Sequence, residues 1–559
     1  MTHMLPTLAA GLAVIVLVVR FVVLARRHPL AKYPGPFLAR HTDLWVAYHA
    51  VRGDLSHTLA ALHEKHGTFV RFGPNRLSTN SAGALDQIYG FGCNTIKAEW
   101  YYYFSADPQH PATNTVIDSD DHKRKRAVLN RGFTSASMKH LEPKILNVLH
   151  TWMPNLVEAT DSEDGWSAPR DMADWAVYLT NDVMGTLSFS NPFGLSTSDE
   201  HRWILQAVPL STRLRYACCF EPWLLTSGID RWLYPQLDQW RARIRAFSSA
   251  MLQRRVDRQD DKTLHDFFRF ILDAPDAQTG GPVDARTLAS ESSLLVNAGG
   301  DSTGTAIAAT TFFLAHNARC LDRAKAEIRS MFASAGEIVP GPRLEESKYL
   351  RACIDEAIRL APPAPAPLMR QVRPGGLETD GQTFPAGVEL AVSPYAIHRN
   401  KEYYPDPLAY KPERWLVDSV GAEAVKKAQS AFCPFSIGAR QCIGMKLAYL
   451  EITLALCSLL WSYDMRLMPG REEQGVDESP QKPPEPPEPP ERPEGPRAPR
   501  GPQSAQSPQG AQSPQGRPEG PRAPRAARAA RAARAQRAGE GGEGGEGGEG
   551  GRGRRGGRG

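Results

Sequence analysis

Residues 435–444 carry the clearest chemical signal in the chain, Phe-Ser-Ile-Gly-Ala-Arg-Gln-Cys-Ile-Gly. A cysteine thiolate is a soft, strongly donating ligand for haem iron and favours O–O cleavage. Gly438 and Gly444 would let the backbone approach a flat macrocycle closely. A helix that begins just after Cys442 would stabilise negative charge on the sulfur. The spacing therefore predicts a haem-thiolate site, and a free cysteine in a glycine turn is the alternative.

The same stretch resembles the haem-binding signature Phe-x-x-Gly-x-Arg-x-Cys-x-Gly of the cytochromes P-450, the haem-thiolate monooxygenases, and every fixed position matches. The resemblance extends from about Pro34 to Leu467 and implies a mainly α fold with a small β region. It implies haem b as the cofactor, with Cys442 as the axial iron ligand. Arg440 is then expected to meet a haem propionate and Phe435 to shield the sulfur.

Residues 298–303, Ala-Gly-Gly-Asp-Ser-Thr, lie inside a helical pattern. Each glycine costs about 1 kcal/mol relative to alanine, so the helix must need a local opening or a close approach there. The stretch resembles the family's central-helix motif, which implies that Asp301, Ser302 and Thr303 relay protons to the oxygen site over the haem. Ser302 replaces the usual threonine and lacks the methyl that restricts χ1, so we predict a working but less tightly held relay. A polar helix turn is the alternative.

Glu356-Ala-Ile-Arg359 resembles the family's Glu-x-x-Arg helix motif, in which both residues share one helix face and can pair. Alone this spacing is weak, because it recurs after residue 469, and a solvated surface pair is the alternative. A proline-rich stretch and Lys-Pro-Glu-Arg-Trp, with Arg414, follow. By resemblance we expect Glu356, Arg359 and Arg414 to form a buried triad that supports the segment before the cysteine loop.

Haem propionates need basic partners. His122 and Arg126 match the family's Trp/His-x-x-x-Arg helix, and Arg370 and His398 occupy stretches that often supply further contacts. Solvated side chains are the alternative for each. The basic run Lys123–Lys125 would face an acidic reductase, or form only a solvated charged surface.

The elements that must position these residues are mainly helical. Expected helices cover 120–131, 290–314, 349–360 and 447–461; the third stops at a Pro-Pro pair, and the last is apolar nearly all round, as in a buried helix. Residues 69–72 and 76–79 flank a Gly-Pro-Asn turn and predict a hairpin. We expect one haem domain over residues 41–468.

The N-terminus predicts a single-pass membrane anchor over residues 1–28. Residues 5–25 are almost wholly apolar and are followed by Arg26, Arg27 and His28, which suits a bilayer span with a cytoplasmic basic flank. A cleaved signal peptide is the alternative. A proline-rich connector, residues 29–40, follows. We expect an endoplasmic reticulum location with the catalytic domain in the cytosol.

Residues 469–559 change character to Pro, Arg, Ala and Gly repeats without aromatic residues, so we expect a disordered tail. The near-periodic tracts are typical of a gene-model artefact in a GC-rich repeat, and a genuine extension is the alternative. The eight cysteines have no paired spacing and suggest a reducing compartment. The net charge of +5 is small for 559 residues and does not point to nucleic acid.

The resemblance implies a monooxygenase that takes electrons from NADPH through cytochrome P-450 reductase and inserts one atom of O2 into a small molecule. The substrate would be lipophilic, since residues 99–104 (Glu followed by five aromatic residues) and the apolar residues 363–368 match pocket walls of the family. The aromatic residues could equally belong to the core. The chain looks like fungal microsomal members of secondary metabolism. The alternatives are a haem-thiolate isomerase or dehydratase without a reductase, and a non-catalytic haem protein whose Arg/Gly tail binds RNA.

Overall fold

The structure, a computed structural model, describes residues 27–157, 165–275 and 280–470. The predicted anchor, apart from its last two residues, lies outside the described residues, and so does the predicted tail beyond residue 470.

Helices dominate the described chain, which confirms the expected mainly α architecture. In chain order they are α1 (Leu44–Arg52), α2 (Leu55–His66), α3 (Ala82–Tyr89), α4 (Trp100–Phe104), α5 (Ser119–Asn130), α6 (Ser135–Leu156), α7 (Met172–Phe189), α8 (Ile204–Cys218), α9 (Trp223–Thr226), α10 (Ile229–Leu233), α11 (Gln236–Val256), α12 (Phe267–Leu272), α13 (Ala285–His316), α14 (Ala318–Met331), α15 (Pro342–Glu345), α16 (Lys348–Leu360), α17 (Pro394–Ile397), α18 (Val417–Val420), α19 (Ala422–Ser430) and α20 (Met445–Ser462). Short 3-10 helices cover Leu38–Arg40, Ala335–Glu337, Pro412–Trp415 and Gly438–Arg440.

The β region is small, as expected. Its strands are β1 (Phe69–Gly73), β2 (Arg76–Thr79), β3 (Thr95–Lys97), β4 (Arg370–Val372), β5 (Leu377–Thr379), β6 (Gln382–Phe384) and β7 (Glu389–Val392). Five of them form a sheet in the order β1-β2-β7-β4-β3, and β5 pairs with β6. β1 and β2 are antiparallel, with Phe69 opposite Thr79, so the predicted hairpin is confirmed.

Helix α13 runs through the core as one continuous helix and extends beyond the predicted 290–314. The Asp284 side chain accepts hydrogen bonds from the backbone N–H groups of Arg286 and Thr287. This cap satisfies amides that would otherwise lack a partner, which explains the earlier start. The helix packs against α7, α11, α16 and α20.

Helix α20 follows the cysteine loop and is buried among α13, α14 and α6, which confirms the prediction of a buried apolar helix. Within the described residues it alone is long and apolar enough to cross a bilayer, but half of it is buried. Its apolar surface therefore serves the core of the domain.

The proline-rich connector packs onto the sheet. Leu30 and Tyr33 are buried, and the carbonyl of Pro34 accepts a hydrogen bond from the Arg71 N–H of β1, at 2.7 Å. Gly35 lies so close to β1 that an added Cβ would collide with the Arg71 carbonyl oxygen. This part of the connector is thus fixed to the domain and does not form a free spacer.

Candidate active site

The loop before α20 holds Cys442 in a fixed backbone frame. Gly438 has φ of +69°, and an added Cβ would collide with the carbonyl oxygen of Tyr89. Only glycine combines this conformation with such a close approach. The backbone N–H of Cys442 then donates to the carbonyl of Phe435 at 2.9 Å, which closes the loop.

The Cys442 side chain is accessible although protein surrounds it on most sides. Burial raises the pKa of the Cys442 thiol, and the backbone N–H groups of Gly444 and Met445 and the Arg126 guanidinium oppose that rise. The same groups would stabilise a thiolate once a metal ion displaced the proton.

Five basic side chains form what we call the basic cluster: Lys97, His122, Arg126, Arg370 and Arg440. Lys97, His122 and Arg370 are buried, and Arg126 and Arg440 are half-buried. Arg126 Nη1 donates to the Gln441 carbonyl at 2.6 Å, which ties α5 to the cysteine loop. Arg440 Nη1 donates to the Val116 carbonyl at 2.7 Å.

Among the described residues, no member of the basic cluster forms an ion pair with a carboxylate. Burial lowers the pKa of Lys97 well below its ordinary value, and Arg370 and Arg440 lower it further. Burial, followed by Arg440 and Lys97, lowers the pKa of His122 to about 3. The guanidinium groups of Arg126, Arg370 and Arg440 therefore meet inside the protein without a counter-ion among the described side chains. Because such charges are costly, the cluster calls for an anion. The two carboxylates of haem fit that demand.

The middle of α13 presents one accessible stripe inside the core. Ala298, Ser302 and Thr305 are exposed, whereas Thr303 and Gly304 are buried. The spacing i, i+4, i+7 puts the three exposed residues on one helix face. Ser302 Oγ donates to the Ala298 carbonyl at 2.8 Å. Of the two predicted relay hydroxyls, only that of Ser302 therefore lies on the accessible face.

The glycines of α13 mark a close approach to α7, and the helix has no local opening there. An added Cβ on Gly300 would lie 2.5 Å from the Asn181 side chain, and one on Gly299 would collide with Met184. Thr180 Oγ1 donates to the Gly300 carbonyl at 2.7 Å. The cost of glycine in this helix is therefore offset by tight helix–helix packing.

Asp301 is half-buried, and burial raises the pKa of its carboxyl to about 6, from the ordinary value of 3.8. Between about pH 4 and pH 6, unfolded chains lose this proton while folded chains keep it. Because the folded state binds more protons in this window, the contribution of Asp301 to stability falls as the pH rises through it.

Replacing Asp301 with asparagine should remove this pH dependence. We expect Asp301→Asn to raise the free energy of unfolding at pH 7 by about 1–2 kcal/mol and to leave it nearly unchanged at pH 4, since a full two-unit shift equals roughly 3 kcal/mol and solvent access reduces it. Denaturant unfolding at the two pH values measures the effect. The exposed Asp120→Asn serves as a control, for which a change within about 0.5 kcal/mol is expected. Equal effects of Asp301→Asn at both pH values would contradict the prediction.

Glu356 is fully buried and forms the centre of a hydrogen-bond network. Arg359 donates to both of its carboxylate oxygens, at 2.8 and 2.9 Å, and Arg414 Nε donates to Oε1 at 2.9 Å. The backbone N–H of Lys411 and the indole Nε1–H of Trp415 also donate to it, each at 3.0 Å. The three residues predicted as a triad are thus in direct contact, and Trp415 is a further donor.

His398, predicted to contact a propionate, does not join the basic cluster. The residue has no accessible surface on which a cofactor could lie. Its Nε2 accepts a hydrogen bond from the backbone N–H of Cys433 at 3.0 Å, and its carbonyl accepts from Arg359. The fold uses this histidine inside the protein, between the Glu356 network and the cysteine loop.

Sequence reasoning missed Lys97 and Trp415. Lys97 ends strand β3 between the apolar residues Ile96 and Ala98. Because lysine is almost never buried without a partner, its position in an apolar strand is a signal that could have indicated a functional residue. Its Nζ donates to the Asn114 carbonyl and lies 4.3 Å from the centre of the Tyr101 ring. Trp415 directly follows Arg414 and carried no separate signal.

Comparison with known proteins gives a consistent family match. The family model described as "Cytochrome P-450" matches residues 36–490. The chain is 36% identical over 446 residues to "Cytochrome P-450 monooxygenase poxM" of Penicillium oxalicum, covering 79% of this chain and 85% of that protein. It is 37% identical over 458 residues to the monooxygenase apf7 of Gibberella fujikuroi, covering 78% and 86%. It is 36% identical over 450 residues to the monooxygenase AKT7 of Alternaria alternata, covering 79% and 85%.

Proposed function

Because the chain belongs to the cytochrome P-450 family of monooxygenases and its cofactor is therefore haem with an axial cysteine thiolate, we propose that it oxygenates a lipophilic small molecule in fungal secondary metabolism. The observation that carries the proposal is the accessible Cys442 thiol, held just before α20 beside the Arg126 guanidinium, which belongs to a basic cluster without carboxylate partners in the described part of the chain. When bound, haem would supply the chemistry that activates O2: with two electrons and two protons, one oxygen atom would be reduced to water and the other would enter the substrate.

The basic cluster would hold the cofactor by its propionates. Lys97, His122 and Arg370 supply buried donors, and Arg126 and Arg440 are anchored by backbone carbonyls that set the direction of their guanidinium groups. Charge-assisted hydrogen bonds to a carboxylate are about twice as strong as neutral ones. Gly438 and Gly444 would leave room for the macrocycle, and Phe435 would cover the sulfur.

Helix α13 would deliver protons to the reacting oxygen. The raised pKa of Asp301, about 6, lets this carboxyl exchange protons near neutral pH. Ser302 Oγ lies on the accessible face and could pass a proton onward by rotating away from the Ala298 carbonyl. Thr303, whose side chain is buried, would act as packing support for this relay.

Substitutions at Ser302 test the relay. We expect Ser302→Ala to raise the ratio of hydrogen peroxide released to product formed by about 100-fold, the low end of the usual range for losing a general acid–base group. Ser302→Thr restores the methyl that restricts χ1 and should lower that ratio below the wild-type value. Both ratios are measured from NADPH consumed, peroxide and product. An unchanged ratio in Ser302→Ala would remove Ser302 from the mechanism.

NADPH-cytochrome P-450 reductase is the proposed electron donor. Lys123 and Arg124 of α5 are exposed and suit docking of an acidic partner. Lys125 is half-buried and donates to the Pro111 carbonyl. The docking surface therefore includes the first two basic residues of the run and excludes the third.

Attachment to the endoplasmic reticulum membrane is proposed from two features. The apolar residues 5–25 precede the domain, and large apolar side chains next to them in sequence are exposed. Phe37 is 74% exposed and Leu38 62%, and Tyr48 of α1 is also exposed. Exposed aromatic and aliphatic groups at this position suit a lipid surface.

The proposed substrate pocket lies beside the accessible stripe of α13. The run 99–104, which the sequence assigned either to the pocket or to the core, is divided: Trp100 and Tyr101 are buried, and Tyr102 is 47% exposed. Fungal monooxygenases are among the similar proteins, which supports a role in secondary metabolism. A lipophilic ligand suits the apolar 363–368 stretch.

The deciding experiment is the spectrum of the reduced carbon-monoxide complex of the purified full chain. A strongly red-shifted Soret band, together with NADPH- and reductase-dependent oxygenation of lipophilic compounds, is expected. A folded, haem-loaded protein without that band would overturn the thiolate assignment. Turnover that needs neither reductase nor O2 would overturn the monooxygenase assignment.

A further inference from the structure

His398 connects the Glu356 network to the segment before the cysteine loop. It follows α17, is fully buried, and its carbonyl accepts a hydrogen bond from Arg359 Nη1 at 2.8 Å. The same Arg359 makes the bidentate contact with Glu356. One end of His398 is therefore fixed by the Glu356 network.

The imidazole of His398 accepts a backbone hydrogen bond on the other side. Its Nε2 lies 3.0 Å from the backbone N of Cys433, which can only donate. The ring must therefore carry its proton on Nδ1, which has no hydrogen-bond partner among the described residues. Burial, followed by Arg359 and Arg399, lowers the pKa of His398 to about 3, so the acceptor persists across the physiological range.

Backbone hydrogen bonds continue from Cys433 to the iron-ligand position. The carbonyl of Cys433 accepts from the N–H of Ser436 at 3.0 Å, and the carbonyl of Phe435 accepts from the N–H of Cys442 at 2.9 Å. Ser436 has φ of +56°, a strained conformation for a residue with a side chain. Such a turn persists only when its surroundings fix it. His398 contributes to this, because it bonds Cys433, the first residue of the turn.

Ring contacts hold the same segment laterally. The Phe432 ring lies 5.3 Å from the His398 ring and 4.7 Å from the Trp415 ring, and Trp415 donates to Glu356. Both connections therefore start at the Glu356 network and end at residues 432 and 433. Of the two, only His398 bonds the backbone of the loop.

We propose that His398 is a positioning residue that fixes the Cys442 loop in register with the iron, by accepting the Cys433 N–H through a neutral imidazole. This inference rests on the proposed function, since it assumes that Cys442 is the thiolate ligand. It assigns His398 no contact with cofactor or substrate. Its loss should weaken thiolate ligation specifically, beyond any general loss of stability.

Two amide substitutions of His398 separate the acceptor from other effects. A glutamine side chain can place its carbonyl oxygen near the position of Nε2, whereas asparagine reaches only the position of Nδ1. His398→Gln should therefore keep the bond to the Cys433 N–H, and His398→Asn should lose it. The matched control is His63→Asn, because His63 is equally buried and bonds Ser78 and Gly67, far along the chain from the cysteine loop.

The measured quantity is the ratio of the Soret band of haem without thiolate ligation to the red-shifted band, in the haem-loaded, reduced carbon-monoxide complex of the full chain. An unsatisfied buried N–H corresponds to a change of about tenfold in such a ratio. We expect about that rise in His398→Asn, a change within about twofold in His398→Gln, and none in His63→Asn.

The proposal is overturned if His398→Asn keeps the wild-type ratio, if His398→Gln loses as much as His398→Asn, or if His63→Asn loses as much. If His398→Asn yields no folded protein, hydrogen exchange of the Cys433 amide decides: protection in wild type and His398→Gln supports the bond, and fast exchange in wild type refutes it. Absence of the red-shifted band in the wild-type protein would contradict the proposed function. That outcome differs from failure of the His398 inference, in which the wild-type band is present.

Discussion

Replacing Cys442 with serine is expected to abolish the red-shifted Soret band of the reduced carbon-monoxide complex and to reduce monooxygenase turnover below detection. A serine oxygen is a harder and weaker electron donor than a thiolate, so it cannot supply the charge that favours O–O cleavage. The substitution changes one atom at an accessible position, so the fold should survive. Spectra and product formation measure the outcome.

The control for Cys442→Ser is Cys93→Ser. Cys93 is half-buried, and its sulfur lies 3.2 Å from Thr95 Oγ1, a contact that serine can keep. We expect Cys93→Ser to retain both the band and the turnover. Retention of the red-shifted band in Cys442→Ser would mean that another group ligates the iron, and the site described above would then be wrong.

Replacing Glu356 with glutamine is expected to destabilise the folded protein by about 3–5 kcal/mol, the usual cost of removing one partner from a buried ion pair. Arg359 and Arg414 would keep their charges in the core. The NH2 group of the new amide would face N–H groups that donate to Glu356 in the wild-type protein. Because His398 and Trp415 connect the network to residues 432 and 433, just before the cysteine loop, haem content should fall with it. Denaturant unfolding and haem-to-protein ratios measure both effects.

Glu413→Gln provides the matched control. Glu413 lies in the same 3-10 helix as Arg414, and its closest ion pair is with Arg319, whose side chain is 66% exposed. Exposed pairs contribute at most about 1 kcal/mol, so this variant should remain folded and haem-loaded. If the two variants lost similar stability, the Glu356 network would have no special structural role.

The local features of the fold could be predicted from sequence because their signals are contiguous. The Gly-Pro-Asn turn between Phe69 and Thr79 gave the hairpin, and the proline pair at 362–363 ended α16 as expected. The apolar pattern predicts helix α13, but it places the start at residue 290, whereas the Asp284 cap starts the helix at Ala285. The sequence does not predict that Leu30 and Tyr33 are buried, because proline content alone does not show whether a connector packs on the domain.

The site could be predicted only in part, for a physical reason. The residues of the cysteine loop lie within ten positions of one another, whereas the basic cluster is collected from positions 97, 122, 126, 370 and 440. Lys97 joins the cluster only because β3 pairs with β4, next to Arg370. His398 was assigned to the cofactor from its neighbourhood in sequence, but the chain turns its ring towards Cys433. Neither the pairing of β3 with β4 nor the orientation of the His398 ring follows from a local pattern in a single sequence.

The close packing of α7 on the glycines of α13 implies that residues of α7 influence the position of the accessible stripe of α13. Asn181 contacts Gly300 on the side of α13 opposite its accessible stripe, and Met184 contacts Gly299, about a quarter turn from the stripe. Exchanging either of them for a side chain of different bulk should shift α13 and thereby change the space beside its accessible stripe, without altering Ala298, Ser302 or Thr305. Laboratory evolution of product selectivity in this enzyme should therefore sample these two remote positions along with the lining itself.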